Sequence, residues 1–387
     1  MSLDVDAIQG SPIGRVVPVR VHDRRFDQYF DHHAYVPEPL PEQLNLSGDT
    51  WTAISDASAA IGRLDGAASE LPHPLLIVRP LIRREAVSTS ALEGTYSAID
   101  EVLGAEAGRQ DGRPETLEVL NYVRAVERGL ELLRERPVSL NLILEVHAIL
   151  LQDVRGDSSQ LGQVRQHQNW IGPRDCTITE STFVPPPAEE LASGLAAWEK
   201  WIHRRDLPLV ARVALGHYQF ETLHPFVDGN GRLGRLVVLL QLIEEGLLRD
   251  HLMTISPHLE GQRDTYIDQL RRLTITGDFD GWVQFFANVL SRAATEGLER
   301  IRDMQGIRDD AVQQIRAAGV KGVAVQIAED LIGYPTLTVQ DAADRYGITY
   351  PAARSAIDKL LERGILDHDD SPYRRLYFSR PMLSLLR

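Results

Sequence analysis

The stretch that most constrains the fold is residues 224–235, which are followed at once by the apolar run 236–240. Gly229 and Gly231 flank Asn230 and indicate a tight turn, because glycine adopts backbone conformations that other residues avoid. An uninterrupted apolar run directly after such a turn predicts a buried helix. The sequence therefore predicts a loop that leads straight into a helix N-terminus.

Charged and titratable side chains occur in this same stretch. A helix N-terminus has backbone N–H groups without intrahelical partners and carries partial positive charge, so it attracts anions. Arg232 and Arg235 are three residues apart and share a helix face, where planar guanidinium groups can bind phosphate oxygens. Asp228 is suited to Mg²⁺, which takes one or two carboxylates together with substrate phosphates, and His224 can act as a general base. The pattern indicates phosphoryl or nucleotidyl transfer.

Each of these residues also has an ordinary structural explanation. A histidine before proline is commonly a loop residue, Asp-Gly and Asn-Gly are commonly plain turns, and two arginines on a helix are commonly solvated. The complete set, in this order and at a helix N-terminus, favours a functional site.

The stretch resembles the signature of the Fic family, His-x-Phe-x-Asp/Glu-Gly-Asn-Gly-Arg-x-x-Arg, and fills every specified position. Family members with the full Gly-Asn-Gly-Arg form typically transfer AMP from ATP to a protein hydroxyl. The resemblance implies that His224 deprotonates the target hydroxyl and that Asp228 binds Mg²⁺. It also implies a segment that binds the phosphates of ATP, made of Gly229, Asn230, Gly231, Arg232, Leu233, Gly234 and Arg235.

Composition limits the setting. The 387 residues suggest two or three domains, and a net charge of −14 argues against a surface that coats nucleic acid broadly. The single cysteine, Cys176, excludes an intrachain disulfide and fits a reducing compartment. No secretory signal is visible at residues 1–6, and no apolar run approaches the ~20 residues that span a bilayer. We therefore expect a cytoplasmic protein without a membrane partner.

The N-terminal region contains two features. Residues 1–45 are rich in Pro, Asp and Arg, which favours an extended strap over a helix. In the stretch 75–103, Thr89 and Glu93 are four apart on one helix face and Gly94 is a natural terminator, so spacing alone favours an ordinary amphipathic helix. The segment nevertheless resembles the inhibitory motif of the Fic family, Ser/Thr-x-x-x-Glu-Gly/Asn. The resemblance implies that Glu93 pairs with Arg235 and prevents productive binding of the γ-phosphate.

The central region is predicted to be helical with one exception. Helices are expected at 114–136, 139–151, 188–204, 209–222, 260–273 and 279–302. His147 is expected to be a packing or surface residue, and an aromatic stripe that includes Trp282 to be core, although the resemblance lets part of it, or Tyr266, border the adenine. Residues 162–165 resemble the run that opens the Fic active-site region. The exception is 176–187, whose β-forming residues predict a hairpin, which the resemblance identifies as a flap that holds the target by β-augmentation.

The C-terminal region changes character. Residues 337–364 are typical of a helix, a glycine turn and a second helix, and 365–378 of a short two-stranded wing, so the region resembles a winged helix-turn-helix. Nine Lys and Arg balance nine Asp and Glu after residue 320, whereas a DNA reader is usually basic. A local patch of arginines and one lysine could still contact DNA, and a protein-contact or dimerisation module is the alternative. The patch consists of Arg354, Lys359, Arg374 and Arg375.

The sequence therefore predicts a mainly α fold with a Fic helical core, a β-hairpin flap and a C-terminal winged helix-turn-helix. The expected domains are 1–110, 111–302 and 303–387. The resemblance implies a protein adenylyltransferase that uses Mg·ATP, modifies Ser, Thr or Tyr hydroxyls and is autoinhibited by Glu93. A hydrolase that removes AMP at the same site and a nucleotide-sensing transcription regulator are the alternatives. The target protein, self-modification and a homodimer are left open.

Overall fold

The computed structural model describes residues 5–23, 25–69, 74–109, 113–154, 160–371 and 374–387. Helices dominate, which confirms the predicted mainly α fold. The chain forms two compact units, each assembled from three separate stretches. The first unit contains 1–59, 125–247 and 261–292, and the second contains 60–124, 248–260 and 293–387. None of the helices in the described ranges is both long enough and apolar enough to cross a membrane.

The elements follow one another along the chain with short connections. In order they are α1 Val5–Gln9, β1 Gly14–Asp23, β2 Gln28–Pro37, α2 Gly48–Ser69, α3 Pro74–Leu92, α4 Ile99–Glu106, α5 Pro114–Leu133, α6 Leu140–Leu150, α7 Ala188–Ile202, α8 Leu209–Leu223, α9 Asn230–Glu244, α10 Ser256–Glu260, α11 Arg263–Thr276, α12 Phe279–Ala317, α13 Val323–Asp330, β3 Thr336–Leu337, α14 Val339–Tyr346, α15 Tyr350–Leu361, β4 Asp367–His368, β5 Tyr377–Phe378 and α16 Arg380–Leu386.

The N-terminal segment is extended, as predicted, but it forms an antiparallel hairpin rather than a single strap. β1 pairs with β2 from Gly14↔Pro37 to Asp23↔Gln28. Val17, Val19 and Val21 alternate along β1 and pack in one small apolar cluster, since residues two apart share a face of a strand. This alternation of valines is the sequence signal that predicts the hairpin and that the proline content obscured.

The hairpin predicted within 176–187 is wrong. Residues Ile178–Glu180 form a short 3-10 helix, and the segment pairs with Ile171 through a single antiparallel bridge to Phe183. Polar side chains close the turn locally, because Glu180 accepts hydrogen bonds from the backbone and hydroxyl of Thr177 at 2.8 and 2.9 Å. Such bonds from polar side chains compete with strand pairing.

The core of the first unit surrounds α8 and α9, in both of which nearly every residue is buried. A helix that is apolar on all sides is expected at the centre of a unit. Two tryptophans reach it from neighbouring helices: Trp198 donates to Gly216 O at 2.9 Å and Trp282 to Ala214 O at 2.8 Å. Trp282 is fully buried, so the prediction that its stripe belongs to the core is confirmed.

The second unit includes the C-terminal region. The predicted helix, glycine turn and helix are observed as α14 and α15, with Gly347 at φ 62° between them. Thr338 and Thr349 accept backbone hydrogen bonds at the starts of these helices, as N-cap residues do. The predicted strand pair is present as β4 and β5, and β3 extends it to a three-stranded sheet in the order β3-β5-β4.

Candidate active site

His224 lies where α8 ends. Its N–H donates to Phe220 O at 3.0 Å, and its backbone adopts the left-handed conformation with φ 47° and ψ 60°. That conformation is costly for a residue other than glycine and is typical of functional sites. Nδ1 lies 3.4 Å from Glu221 O. A carbonyl oxygen only accepts, so a hydrogen bond there places the proton on Nδ1 and leaves Nε2 of the neutral imidazole as the basic nitrogen.

Asn230 holds the loop closed from within. Its Oδ1 accepts from Phe226 N–H at 2.9 Å, and its Nδ2 donates to Phe226 O at 2.9 Å. Both side chains are buried. The amide of Asn230 is therefore committed to the loop backbone, and only the backbone N–H of this residue is left to face a phosphate.

Gly229 is the N-cap of α9 and has a φ of 82°. A Cβ at this position would lie 3.1 Å from Leu150 Cδ2, so both the conformation and the space require glycine. The first backbone N–H groups of a helix lack intrahelical acceptors, which places those of Asn230, Gly231 and Arg232 at the mouth of α9. The next N–H, that of Leu233, donates to Gly229 O at 2.9 Å.

The other predicted phosphate-segment residues divide between site and core. Leu233 is buried in the core, and a Cβ on Gly234 would collide with the Glu221 carboxylate, so these two residues allow α8 and α9 to pack closely. Arg232 and Arg235 are buried and lie in the first turns of α9. Two buried guanidinium groups at a helix N-terminus form a strongly anion-attracting region.

The Asp228 carboxylate lies beside the start of α9. Its side chain is 59% exposed, and Oδ1 accepts from Gly229 N–H at 2.5 Å and from Arg232 Nη2 at 3.1 Å. Within the described residues no group of three or more His, Cys, Asp or Glu side chains is suited to hold a metal ion. One accessible carboxylate next to an anion site fits Mg²⁺, which completes its octahedron with phosphate and water oxygens.

Arg165 supports the loop from beneath and was missed as a functional residue in the sequence. It is buried, and burial lowers its pKa to about 10, so it remains charged at neutral pH. Nε donates to His224 O at 2.9 Å and Nη2 to Pro186 O at 2.6 Å, while its own N–H donates to Pro225 O at 2.9 Å. The run 162–165 resembled the family, but nothing in a sequence reveals which carbonyl groups a guanidinium will bind.

His147 supports the same loop from α6. It is buried, as the packing interpretation predicted, and burial lowers its pKa to about 4. Nδ1 lies 3.0 Å from Gly162 N and Nε2 lies 3.2 Å from Asp228 O. The imidazole also stacks on Phe226 with 4.0 Å between ring centroids.

An aromatic cluster lies behind α8. His217 Nε2 and Tyr266 OH are 2.8 Å apart, and both residues are buried together with Trp282 and Phe286. Burial lowers the pKa of His217 to about 3, and the charge of Arg235 lowers it further. This cluster is core; the adenine-facing role implied for Tyr266 stays a prediction.

Glu93 belongs to the second unit. It follows α3 and is exposed, and Gly94 adopts a φ of 86°, so the predicted glycine stop is confirmed. Thr89, one turn earlier, is buried. The regulatory role of Glu93 stays a prediction.

Two arginines of the predicted basic patch make contacts within the second unit. Arg354 donates to Asp358 Oδ1 at 2.9 Å and to Tyr377 OH at 2.8 Å. Arg374 donates to Gly108 O. These contacts occupy guanidinium groups that the DNA-binding alternative requires.

Comparison with family models matches two consecutive parts of the chain. Residues 51–131 match the model described as Fic/DOC family N-terminal, and residues 137–242 match the model described as Fic/DOC family. The second match contains the whole loop from His224 to Arg235. The two models thus meet the regions whose motifs resembled the family.

Similar proteins are found in insects. The chain is 28% identical over 255 residues to "Protein adenylyltransferase Fic" of Drosophila ananassae and 30% identical over 253 residues to the protein of the same name from Drosophila virilis. These alignments cover 64% and 63% of this chain. They cover 45% and 46% of the relatives, so the chain spans less than half of their length.

Solved structures share the fold. A Fic family protein from Desulfovibrio desulfuricans G20 superposes with a TM-score of 0.58 at 18% identity, over 88% of this chain and 98% of that one. A Fic domain containing signaling protein from Bacteroides thetaiotaomicron superposes with a TM-score of 0.50 at 20% identity, over 65% of this chain and 96% of that one. At these identities the likeness concerns the fold alone.

Proposed function

Because residues 51–131 and 137–242 place this chain in the Fic/DOC family, we propose that it is a protein adenylyltransferase, the activity that the insect relatives carry in their name. It transfers AMP from ATP to a Ser, Thr or Tyr hydroxyl of a protein. The observation that carries this proposal is the short loop itself, which holds a basic imidazole at one end and the N-terminus of α9 at the other.

The reaction assigns one task to each part of the loop. The hydroxyl oxygen attacks the α-phosphorus, a new O–P bond forms, the bond from the α-phosphorus to the bridging oxygen breaks, and pyrophosphate leaves. His224 takes the hydroxyl proton on Nε2. The N–H groups at the start of α9, with Arg232 and Arg235, hold the phosphates in position and stabilise the charge of the leaving group.

Asp228 is the residue that would hold the metal ion. Its carboxylate is accessible and lies against the anion site. When bound, Mg²⁺ neutralises phosphate charge and orients the oxygens that coordinate it. Arg232, which now contacts Asp228 Oδ1, keeps the carboxylate ionised and directed to the start of α9.

Regulation by Glu93 forms a separate part of the proposal. It is supported by the resemblance of residues 89–94 to the inhibitory motif and by the glycine stop that ends α3 at this point. We expect the resting chain to transfer AMP slowly until Glu93 is displaced or replaced.

The test uses ATP labelled at either end. The full chain and a Glu93→Gly variant are incubated with a protein mixture, Mg²⁺ and ATP that carries the label on the α- or the γ-phosphate. Adenylyl transfer labels protein only from α-labelled ATP, and His224→Ala abolishes it, whereas His33→Ala, on the exposed hairpin, changes nothing. Label from γ-labelled ATP, or no label from either, would refute the proposal. Release of AMP from premodified protein would instead favour the hydrolase.

A further inference from the structure

The two nitrogens of His147 have fixed and opposite roles. The backbone N–H of Gly162 can only donate, so Nδ1, 3.0 Å away, is the acceptor. A neutral imidazole then carries its proton on Nε2. The atom within reach of Nε2 is Asp228 O, at 3.2 Å, and a carbonyl oxygen only accepts. The hydrogen bonds therefore run in one direction, from Gly162 N–H through the imidazole to the Asp228 carbonyl.

All three contacts from α6 meet the loop at its active end. The imidazole stacks on Phe226 at 4.0 Å and donates to Asp228 O, and Leu150, one turn further along α6, limits the space at Gly229. The Asp228 carbonyl immediately precedes the left-handed Gly229, so its position sets the direction of the peptide that begins α9. The opposite edge of the loop is fixed by Asn230.

We propose that His147 is a positioning residue that, through the Nε2–H bond to Asp228 O, orients the peptide between the metal-binding carboxylate and the phosphate-binding helix N-terminus. This inference rests on the proposed function for the roles of Asp228 and α9. His147 touches none of the reacting groups in this scheme; it acts through the backbone of Asp228.

Amide substitutions separate the two nitrogens. His147→Asn places an acceptor near the position of Nδ1 and removes the donor to Asp228. His147→Gln places an amide donor near the position of Nε2. His147→Phe keeps the ring on Phe226 and removes both nitrogens. His203→Asn is the matched control, because that imidazole bonds Val138 O at 2.8 Å, at the end of α7.

Hydrogen exchange of the nucleotide-free protein tests positioning without reference to activity. We expect the amides of residues 226–231 to exchange about tenfold faster in His147→Asn and His147→Phe, the scale of one lost hydrogen bond. His147→Gln and the control should stay within about threefold of the wild type. If His147→Asn does not fold, His147→Phe decides the matter. Unchanged exchange in the folded donor-less variant, or equal acceleration in His147→Gln, would overturn the proposal.

Binding of Mg·ATP by calorimetry connects the position of the peptide to the site. We expect the Kd of His147→Asn to rise about tenfold and that of His147→Gln by less than about threefold. If the wild type binds no Mg·ATP while exchange still separates Asn from Gln, the proposed function fails and the positioning role stands. If the wild type binds and His147→Asn binds equally well, the positioning role fails and the proposed function stands.

Discussion

Arg165 Nε donates to the carbonyl oxygen of His224 at 2.9 Å, and this bond restrains the one loop residue that combines a left-handed backbone with the proposed base. The guanidinium is buried and binds two further carbonyl groups, those of His167 and Pro186. A group buried for this purpose contributes to stability and to the geometry of the site at once.

Arg165→Met should therefore lower the free energy of unfolding by about 3 kcal/mol, because several carbonyl groups lose a charged donor. It should also reduce AMP transfer even where the variant is fully folded. Urea unfolding measures the first effect and α-labelled ATP the second. Arg174→Met is the control, since the Arg174 side chain is 91% exposed, and its stability should change by less than about 0.5 kcal/mol. Equal stability of the two variants would contradict the role of Arg165.

Substitution of His224 should separate catalysis from strain. His224→Ala should slow AMP transfer by about 10²–10⁴ and leave ATP binding largely unchanged, since only the general base is lost. His224→Gly should be equally inactive but more stable than His224→Ala by about 1 kcal/mol, because φ is 47° here and glycine adopts this conformation without strain. Labelling, calorimetric ATP binding and urea unfolding give the three values. Undiminished labelling would remove the assignment of the base, and equal stability would remove the strain.

Asp228→Asn should lose Mg²⁺-dependent activity with little loss of stability, because the amide oxygen can still accept from Gly229 N–H. Raising the Mg²⁺ concentration should restore activity only in part, since the carboxylate also helps to orient the phosphates. A Mg²⁺ titration of AMP transfer at fixed ATP measures this. Full wild-type activity with chelator present would show that the transfer is not metal-assisted.

Glu93→Gly should raise AMP transfer by about ten- to a hundredfold, the factor that follows from loss of a charge-assisted pair worth roughly 1.5–3 kcal/mol. Arg235→Ala should remain weakly active alone and in combination with Glu93→Gly, because the phosphate contact is lost in both. Rates are compared at matched protein and Mg·ATP for the wild type, the single variants and the double variant. A Glu93→Gly variant no faster than the wild type would mean that residues 89–94 have a structural role only.

His251 should make stability depend on pH. Burial in the second unit lowers its pKa from 6.5 to about 4, so between these values the unfolded chain binds more protons than the folded chain. Stability then falls as the pH falls through this window. Between pH 7 and pH 4, His251→Leu should lose about 3 kcal/mol less than the wild type in urea unfolding. His33→Leu, on the exposed hairpin, should show the wild-type loss, and an equal loss in His251→Leu would refute the assignment.

Local signals in the sequence account for most of the helices and for the loop. Residues 224–235 specify their own turn, because Gly229, Asn230 and Phe226 contact one another within five positions, and caps such as Gly94 and Gly347 end helices as predicted. Arg165 and His147 could not be assigned in the same way. Their partners lie 59 and 81 residues away, and such contacts depend on how helices pack.

The segment 176–187 fails for a related reason. Its β-forming residues favour strands, yet Thr177 and Glu180 satisfy the backbone locally, and no pattern of residue types ranks those two outcomes. The N-terminal hairpin shows the converse, since its alternating valines were present but its prolines suggested an unpaired segment.

The loop between α8 and α9 also has a consequence for the order of folding. The contacts that close it are local, with Asn230 reaching back four residues to Phe226, whereas the bonds from Arg165 and His147 close much longer stretches of chain. Local contacts form early and distant ones later, because closing a long stretch costs more chain entropy. The helical hairpin is therefore expected to collapse first as a binding-incompetent intermediate, and refolding should restore helix content before it restores affinity for nucleotide.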